Sequence, residues 1–338
     1  MLWDVFCRVV DHHGDLGVCW RLAADLASRG ERVRLWVDDP LALAWMAPEG
    51  AAGVAVIRWA HPLPVLEPGD VVVEAFGCDP PPAFVTRMGA RAVAPVWINL
   101  EYLTAEPYAE RSHGLRSPQQ VGPGAGLVKW FFFPGFTPAS GGLLRGRIAG
   151  EAPRWSDWGV QPRDGERRVS LFCYAHAPFD ELFRRLAGEP TLLLVAAGAG
   201  QAPALERLDA RPRANLRVHA LPWLTQPDYD RLLAACDLNF ARGEDSIVRA
   251  MWAGAPFVWH IYRQDDGAHA AKLDALLDRM AAPPELRALW RAWNDLGPWP
   301  DALPDDEAWR RHASRWRDGL LAQTDLTGRL MAFVAAKR

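Results

Sequence analysis

Strand-like and helix-like segments alternate along most of this 338-residue chain. Apolar runs of strand length lie at 2–9, 33–38, 54–59, 70–76, 94–100, 168–175, 191–197, 216–222, 238–241 and 256–262. Helical spacing of apolar residues fits 16–29, 81–89, 179–187, 203–209, 227–236, 245–253 and 268–281. Strands that alternate with helices form parallel sheets covered by helices on both faces. The pattern therefore predicts an α/β protein with two Rossmann-like, doubly wound domains in tandem.

The segment 114–167 interrupts this alternation, because it is rich in Gly, Pro and Ser. We place the domain boundary toward its end, which predicts an N-terminal domain at 1–160 and a C-terminal domain at 161–338. The final part, 283–336, has a helical pattern broken by prolines, and its helices are free to pack back on the first domain. Ligands of doubly wound sheets bind beyond the carboxyl ends of the strands, so the expected site lies in the cleft between two facing sheets. This is the GT-B arrangement of glycosyltransferases, which some other two-Rossmann enzymes share.

Composition and charge disfavour several classes of protein. Charged residues make up 23% of the chain and its net charge is −3, without a basic stripe, so nucleic acid is not an expected partner. The longest apolar runs, such as 191–197, are far too short for a membrane span. The first residues lack the pattern of a signal peptide, and the five scattered cysteines suit reduced thiols. These features predict a cytoplasmic protein.

The glycine pattern disfavours a nicotinamide cofactor. Residues 197–203 begin as G-x-G, but Pro203 stands where the third glycine or alanine of the dinucleotide fingerprint belongs. Gly14 and Gly17, after the first strand, do not form G-x-G either. An oxidoreductase is therefore a distant alternative.

Two aspartates flank the turn between the first strand and the first helix. Asp11 and Asp15 are four residues apart, so both side chains can face the ligand side of the sheet. On position alone, Asp15 is equally well explained as the N-cap of the helix. Asp11 is harder to explain as a residue that only shapes the turn, since a carboxylate at the carboxyl end of a strand usually has a partner or a function. His12 and His13 beside them suggest a metal site, but adjacent loop residues rarely converge on one ion. We predict no metal and no other cofactor.

Charged residues also occupy a strand end, glycine turn and helix start at 239–246. Asp245 and Ser246 would lie at a helix N-terminus, where free N–H groups and the positive end of the helix dipole bind phosphate. Arg242 adds a fork of donors that suits a diphosphate. Glu244 is unfavourable beside phosphate unless it contacts a sugar hydroxyl or a cationic acceptor. The alternative interpretation is a capping box with a surface salt bridge.

Aromatic residues follow two further strands of the second domain. Phe172 and Tyr174 lie at the end of the strand at 168–175, and Trp223 precedes Gln226 after the strand at 216–222. A flat base stacked on such rings gains roughly 1–3 kcal/mol. Taken singly, each ring is better explained as part of the core.

Longer stretches of the chain keep an order that is typical of one bacterial family. The blocks lie at 3–11, 14–22, 34–39, 129–136, 141–145, 228–233, 236–240, 242–246 and 256–262. Together they resemble the EarP family, whose members attach rhamnose to an arginine of elongation factor P. The resemblance covers roughly residues 2–270, and the segment after 270 is less specific.

This resemblance implies a GT-B fold, TDP-β-L-rhamnose as donor, an arginine of elongation factor P as acceptor and inversion at the sugar carbon. The two N-terminal aspartates of the family correspond to Asp11 and Asp15, and its essential glutamate corresponds to Glu244. We assign Asp15 as the base. Asp11 is expected to hold either the local geometry or the second guanidinium nitrogen, and Glu244 to position the sugar or the acceptor from the opposite domain. The nucleotide site of the family corresponds to Phe172, Tyr174, Trp223, Arg242, Asp245 and Ser246, and we add Gln226. A smaller aromatic residue is expected at the position of Trp223.

Two other functions compete with this interpretation. A GT-B enzyme with a different donor, or a sugar-nucleotide epimerase, would share the fold, and a panel of donors distinguishes them. A non-catalytic module that docks on a translation factor would bind its partner without releasing a nucleotide. Such a module has no need for three carboxylates on ligand-facing loops.

Overall fold

The computed structural model describes residues 1–10, 13–60, 64–148, 151–210 and 214–338. It divides into two compact units. Unit 1 comprises Met1–Arg147 and Leu321–Arg338, and unit 2 comprises Ile148–Leu320. Each unit is built around one sheet of the described strands.

Unit 1 contains a sheet with a central switch in strand order. Its strands are β1 (Leu2–Cys7), β2 (Arg32–Val37), β3 (Val54–Arg58), β4 (Val71–Ala75), β5 (Val96–Leu100), β6 (Arg116–Pro118) and β7 (Val128–Phe132). Their order is β3-β2-β1-β4-β5-β7-β6, and the described pairs are parallel except for β6 with β7. Because β1 has β2 on one side and β4 on the other, a crevice is expected at the carboxyl ends of β1 and β4.

The first helices of unit 1 are α1 (Gly14–Ser28), α2 (Leu43–Met46), α3 (Pro82–Ala90) and α4 (Pro107–Ser112). Helix α1 connects β1 to β2, the crossover of a βαβ unit. Every residue of β4 and β5 is buried. Burial on both faces explains why these strands read as continuous apolar runs without alternation.

Unit 2 repeats the same type of topology. Its strands are β8 (Arg167–Leu171), β9 (Thr191–Val195), β10 (Leu216–Ala220), β11 (Leu238–Arg242) and β12 (Phe257–His260), in the order β10-β9-β8-β11-β12. All the described pairs are parallel. Its helices are α5 (Phe179–Leu186), α6 (Gln201–Ala210), α7 (Gln226–Ala235), α8 (Gly243–Ala253), α9 (Ala268–Arg279), α10 (Pro284–Trp293) and α11 (Asp306–Leu321). Here the strand order reverses between β8 and β11, so the loops after these two strands flank the crevice of this sheet.

The last helix, α12 (Leu326–Lys337), is part of unit 1. Its buried residues Leu326, Leu330 and Val334 join the core cluster that surrounds β1 and α1. The sequence predicts a boundary at 160, whereas the units divide after Arg147 and the chain returns to unit 1 at Leu321. Burial of the apolar face of α12 in that core is the physical reason for the return.

Two local predictions differ from the structure. The segment 114–167, where the sequence pattern predicts no strand, carries β6 and β7, and β7 pairs with β5 and β6 and buries Phe132 completely. Helix α6 begins at Gln201, before the predicted start at 203, and the Gln201 side chain donates hydrogen bonds to two backbone carbonyls. Among the described residues, none of the helices combines the length and apolarity needed to cross a bilayer.

Candidate active site

Arg242 occupies the end of β11, at the switch point of unit 2. Its guanidinium carbon lies 4.5 Å from the centre of the Phe172 ring and 4.9 Å from the centre of the Tyr174 ring. The residue is only 8% exposed, and its Nη1 has no hydrogen-bond partner. A buried cation with an unused donor is costly, and an anionic ligand would compensate that cost. The structure thus brings together Arg242, Phe172 and Tyr174, which the sequence analysis predicts as nucleotide-site residues.

Gly198 provides the space that the Phe172 ring occupies. It follows β9 and has a φ of +143°, which side chains rarely adopt. A Cβ at this position would lie 3.1 Å from Cε2 of Phe172 and 3.8 Å from Nη2 of Arg242. Gly200, two residues later, lies against Cys173, where a Cβ would come within 2.6 Å of the carbonyl oxygen. The glycines of the incomplete G-x-G pattern therefore allow close packing around the aromatic residues of this site.

Tyr174 is held by histidines that the sequence analysis does not select. The backbone N–H of Tyr174 donates to Nδ1 of His260 at 3.3 Å, and the two rings contact at 5.1 Å. His260 is 1% exposed, and burial, followed by the charges of His176 and Arg242, lowers its pKa to about 3. A neutral imidazole therefore supports the aromatic wall at pH 7. His260 lies within the block 256–262, one of those that resemble the family. A single histidine at a strand end does not by itself indicate a role in the site.

Helix α8 begins immediately after Arg242, through Gly243 with a φ of +64°. Nε1 of Trp259 donates to the carbonyl of Gly243 at 2.8 Å, and the hydroxyl of Ser246 donates to the carbonyl of Arg242. These two contacts hold the turn between β11 and α8. The hydroxyl of Ser246 thus serves the backbone, while the amide groups of the first helical turn lack acceptors within the helix.

Glu244 lies in the first turn of α8 and pairs with Lys272 of α9. Their Oε1 and Nζ atoms are 2.8 Å apart, and both side chains are about four-fifths buried, with 19% and 20% exposed. The alternative interpretation from the sequence is a surface salt bridge at Glu244. The observed ion pair is mostly buried, and burial strengthens the attraction between the two charges. Lys272 is a residue that the sequence analysis misses, since nothing in the chain links it to Glu244.

The remaining predicted residues of unit 2 lie in nearby first turns and loops. Asp245 is in the first turn of α8, and Gln226 is the first residue of α7 and is 8% exposed. Trp223 lies between β10 and α7 and is 47% exposed. A half-exposed indole offers a face for stacking that a core residue does not.

A buried ion pair joins the two helices that flank this region. Arg249 of α8 donates to both carboxylate oxygens of Asp230 of α7, at 2.9 Å and 3.0 Å. The side chains are 2% and 8% exposed. Tyr229, beside Asp230, contacts the Phe172 ring at 5.7 Å, so the pair also positions the aromatic wall.

In unit 1, Asp15 lies at the carboxyl end of β1, where that sheet has its switch point. It is the second residue of α1 and not its N-cap, which is His13 without a capping side chain. Asp15 is 4% exposed, and its Oδ2 accepts a hydrogen bond from the backbone N–H of Val10 at 2.9 Å. The N-cap interpretation is therefore wrong, because the helix begins at Gly14, two residues earlier than an Asp15 cap would require.

Asp11 and His12 lie outside the described residues. His13 contacts the indole of Trp45 at a ring distance of 5.5 Å. Within the described part of the chain, no group of three His, Cys, Asp or Glu residues is arranged to hold a metal.

Comparison with known proteins identifies the family. Residues 3–335 match the model of the family described as Elongation-Factor P (EF-P) rhamnosyltransferase EarP. The chain belongs to the EarP family. It is 43% identical to a protein-arginine rhamnosyltransferase of Pseudomonas putida, over 98% of each chain. The protein is accordingly a glycosyltransferase, and its reaction is the rhamnosylation of protein arginine.

Solved structures agree with this membership. The chain is similar to a structure from work on the structural basis for EarP-mediated arginine glycosylation of translation elongation factor EF-P, with 31% identity and a TM-score of 0.64. That match covers 100% of this chain and 99% of the other. A Streptomyces sp. SF2575 glycosyltransferase, SsfS6, complexed with thymidine diphosphate, matches 98% of this chain and 99% of its own, at 12% identity and a TM-score of 0.57. The fold is GT-B, as the alternation of strands and helices predicts.

Proposed function

We propose that the protein transfers L-rhamnose from TDP-β-L-rhamnose to an arginine side chain of elongation factor P, with inversion at the sugar carbon. Membership in the EarP family supports the type of reaction. The single observation that carries the donor site is the buried Arg242 guanidinium with an unpartnered Nη1. Because translation factors act in the cytoplasm, we assign the enzyme to that compartment.

The diphosphate of the donor is assigned to Arg242 and the N-terminus of α8. Arginine binds phosphate oxygens through two parallel N–H groups, and the first turn of a helix adds backbone donors. Ser246 and Asp245 contribute their amide groups from this turn. As the sugar leaves, negative charge grows on the diphosphate oxygen, and donors fixed in advance stabilise it.

The base of the donor is assigned to the aromatic residues of the same unit. Phe172 is partly exposed and Trp223 is half exposed, so each offers a ring face, while Tyr174 is buried and supports Arg242. Stacking on such a face stabilises a bound base by roughly 1–3 kcal/mol. Gln226, at the start of α7, is the polar group that we assign to the edge of the base.

The acceptor requires help because a guanidinium is a poor nucleophile. Its pKa lies far above neutral pH, so forming the neutral species at pH 7 costs several kcal/mol, at about 1.36 kcal/mol per pKa unit. An aspartate cannot supply this free energy in a separate step. We therefore infer that carboxylates orient the guanidinium and that Asp15 accepts the proton while the new bond forms.

The transfer is a single displacement. A nitrogen of the acceptor guanidinium bonds to the anomeric carbon as the bond from that carbon to the diphosphate oxygen breaks. The proton passes from the nitrogen to Asp15, and the electron pair of the broken bond leaves with TDP. Attack opposite the leaving group converts the β-linked donor into an α-linked product. Asp11 orients the second nitrogen, and Glu244, held by Lys272, positions the sugar or the acceptor.

Intact-mass spectrometry of elongation factor P after incubation with the enzyme and TDP-rhamnose tests this proposal. The expected result is a gain of one deoxyhexose on an arginine, with release of TDP, and NMR of the product should show the inverted linkage. TDP-glucose and UDP-rhamnose serve as control donors. No mass gain with a competent acceptor, or equal transfer from a control donor, would contradict the assignment of the donor.

A further inference from the structure

A cavity of about 390 Å³ lies in unit 2, at the amino-terminal ends of β8 and β11. Arg242 lies at the opposite, carboxyl-terminal end of β11. Arg168, the second residue of β8, and Arg310 and Arg317 of α11 line it together with Asp237, which directly precedes β11. We call these four residues and the space between them the arginine pocket. None of them belongs to the proposed transfer site.

The charge of the arginine pocket is unbalanced. Three arginines against one aspartate leave a net charge of 3 − 1 = +2 among the described residues of the lining. Asp237 is shared, since its Oδ2 accepts from the backbone N–H and Nε of Arg168 at 2.9 Å and 3.4 Å, and its Oδ1 lies 3.5 Å from Nη2 of Arg310. Arg317 bonds at 3.0 Å to Asp318, which points outward with 63% of its side chain exposed.

Arg317 is held in place against the floor of the pocket. Gly254, the C-cap of α8, has a φ of +71°, and a Cβ there would overlap the guanidinium of Arg317. Ser314 lies on α11, as Arg317 does, and its hydroxyl donates to the carbonyl of Gly254 at 3.3 Å. The C-terminal ends of α7 and α8 also bring partial negative charge to this region, of about half a unit each. The net charge of +2 on the lining residues exceeds this contribution, which is about one negative unit for the two helix ends together.

The rest of the lining limits the size and type of ligand. Four alanines complete most of it, at positions 234, 235, 253 and 255, and no aromatic residue occurs among the described lining residues. A nucleobase would therefore find no ring to stack on. Arginine forks bind oxyanions in a bidentate manner, and a phosphate group carries about −1.5 to −2 charges at pH 7, which matches the pocket.

We propose that the arginine pocket binds a small oxyanion of the phosphate class. The ligand bridges α11 to the amino-terminal ends of β8 and β11 and so stabilises the folded unit. This site is independent of the transfer reaction, so its failure and the failure of the proposed function are separate results.

Calorimetric titration with inorganic phosphate, at an ionic strength kept constant with chloride, tests the proposal. The full chain carries Arg242→Gln, so that phosphate at the transfer site does not contribute. We expect saturable binding of one phosphate per chain. The double substitution Arg310→Gln/Arg317→Gln should weaken it by at least about tenfold, because two charged donors are lost.

Arg311→Gln/Arg315→Gln is the matched control, since it removes the same charge from exposed positions of the same helix. Its affinity for phosphate should stay within about twofold of the parent. Equal weakening in both double variants, or binding without saturation, would mean general attraction by a basic helix and would overturn the proposal. Circular dichroism establishes that each variant is folded. If the glutamine pair is unfolded, Arg310→Lys/Arg317→Lys keeps the charge and should still lose affinity, and unchanged affinity would contradict the role of the arginine forks.

A parallel titration with thymidine monophosphate distinguishes a free oxyanion from a nucleotide. The absence of a stacking ring predicts that thymidine monophosphate binds no more tightly than inorganic phosphate. Binding at least about tenfold tighter would indicate a nucleotide site and would refute the ligand class.

Discussion

The guanidinium carbon of Arg242 lies 4.5 Å from the centre of the Phe172 ring, with both groups at the switch point of the second sheet. The ring orients the cation through its π face, and this attraction leaves the N–H groups available for other acceptors. Because Nη1 of Arg242 has no partner, the pair combines a fixed direction with an unused donor. This combination distinguishes Arg242 from the many arginines of the chain that pair with carboxylates.

Arg242→Lys should reduce the affinity for TDP by about tenfold to a hundredfold, since a lysine offers no fork and a hydrogen bond to a charged group contributes about 1.5–3 kcal/mol. Calorimetric titration with TDP measures this loss. Arg184→Lys is the control, because Arg184 is 58% exposed and pairs with Glu181. Equal affinity in the Arg242 variant and the parent would remove the guanidinium from the donor site.

Gly198→Ala should weaken TDP binding by displacing Phe172, which would lie 3.1 Å from the new Cβ. The φ of +143° adds backbone strain, so we expect the free energy of unfolding to fall by about 1–3 kcal/mol. Urea unfolding and TDP titration measure the two effects. Gly188→Ala provides the comparison, because its Cβ would meet its nearest atom at 3.5 Å, and it should change neither quantity by much. Normal TDP binding by the Gly198 variant would show that Phe172 is not part of the site.

Asp15→Asn should lower turnover by about 10²–10⁴-fold, the usual contribution of a general base. The amide oxygen of asparagine can still accept the hydrogen bond from Val10, so the fold should be retained. Steady-state rates of elongation factor P modification measure the effect. Asp38→Asn is a close control, because Asp38 also accepts a backbone N–H, from Val9 at 3.0 Å. Near-normal turnover of a folded Asp15 variant would reduce Asp15 to a structural residue.

His260 should make the enzyme less stable in mild acid. Burial lowers its pKa from 6.5 to about 3, so the unfolded chain binds more protons between these values. This contribution to stability is complete above pH 6.5 and is lost as the pH falls toward 3, by up to about 1.4 kcal/mol per unit. Urea unfolding at about pH 7 and about pH 5.5 measures the change, and His260→Gln should remove part of it. An identical pH dependence in the two proteins would contradict the buried neutral imidazole.

Much of the candidate site was predictable from the chain. Arg242 and the start of α8 follow a strand, and strand ends carry the ligands of doubly wound sheets. Position alone leaves Asp15 open to two roles, a helix cap or a catalytic base, because an aspartate near a helix start suits both, and the structure excludes only the cap. Lys272 and His260 were missed, since a lysine on one helix and a histidine at a strand end become informative only through their neighbours. In the sequence, Gly198 belongs to an incomplete cofactor motif, whereas in the structure its missing side chain leaves room for Phe172.

Local periodicity determined the alternation of strands and helices, and therefore the fold class, because side-chain spacing records which face of each element is buried. The order of residue blocks likewise indicated the family before any contact was known. The tertiary structure alone decided which strand ends are neighbours, that α12 returns to the core of unit 1, and that Arg242 meets Phe172. The physical reason is that strand order and packing depend on pairs of residues far apart in the chain, whereas periodicity reports only on neighbours in sequence.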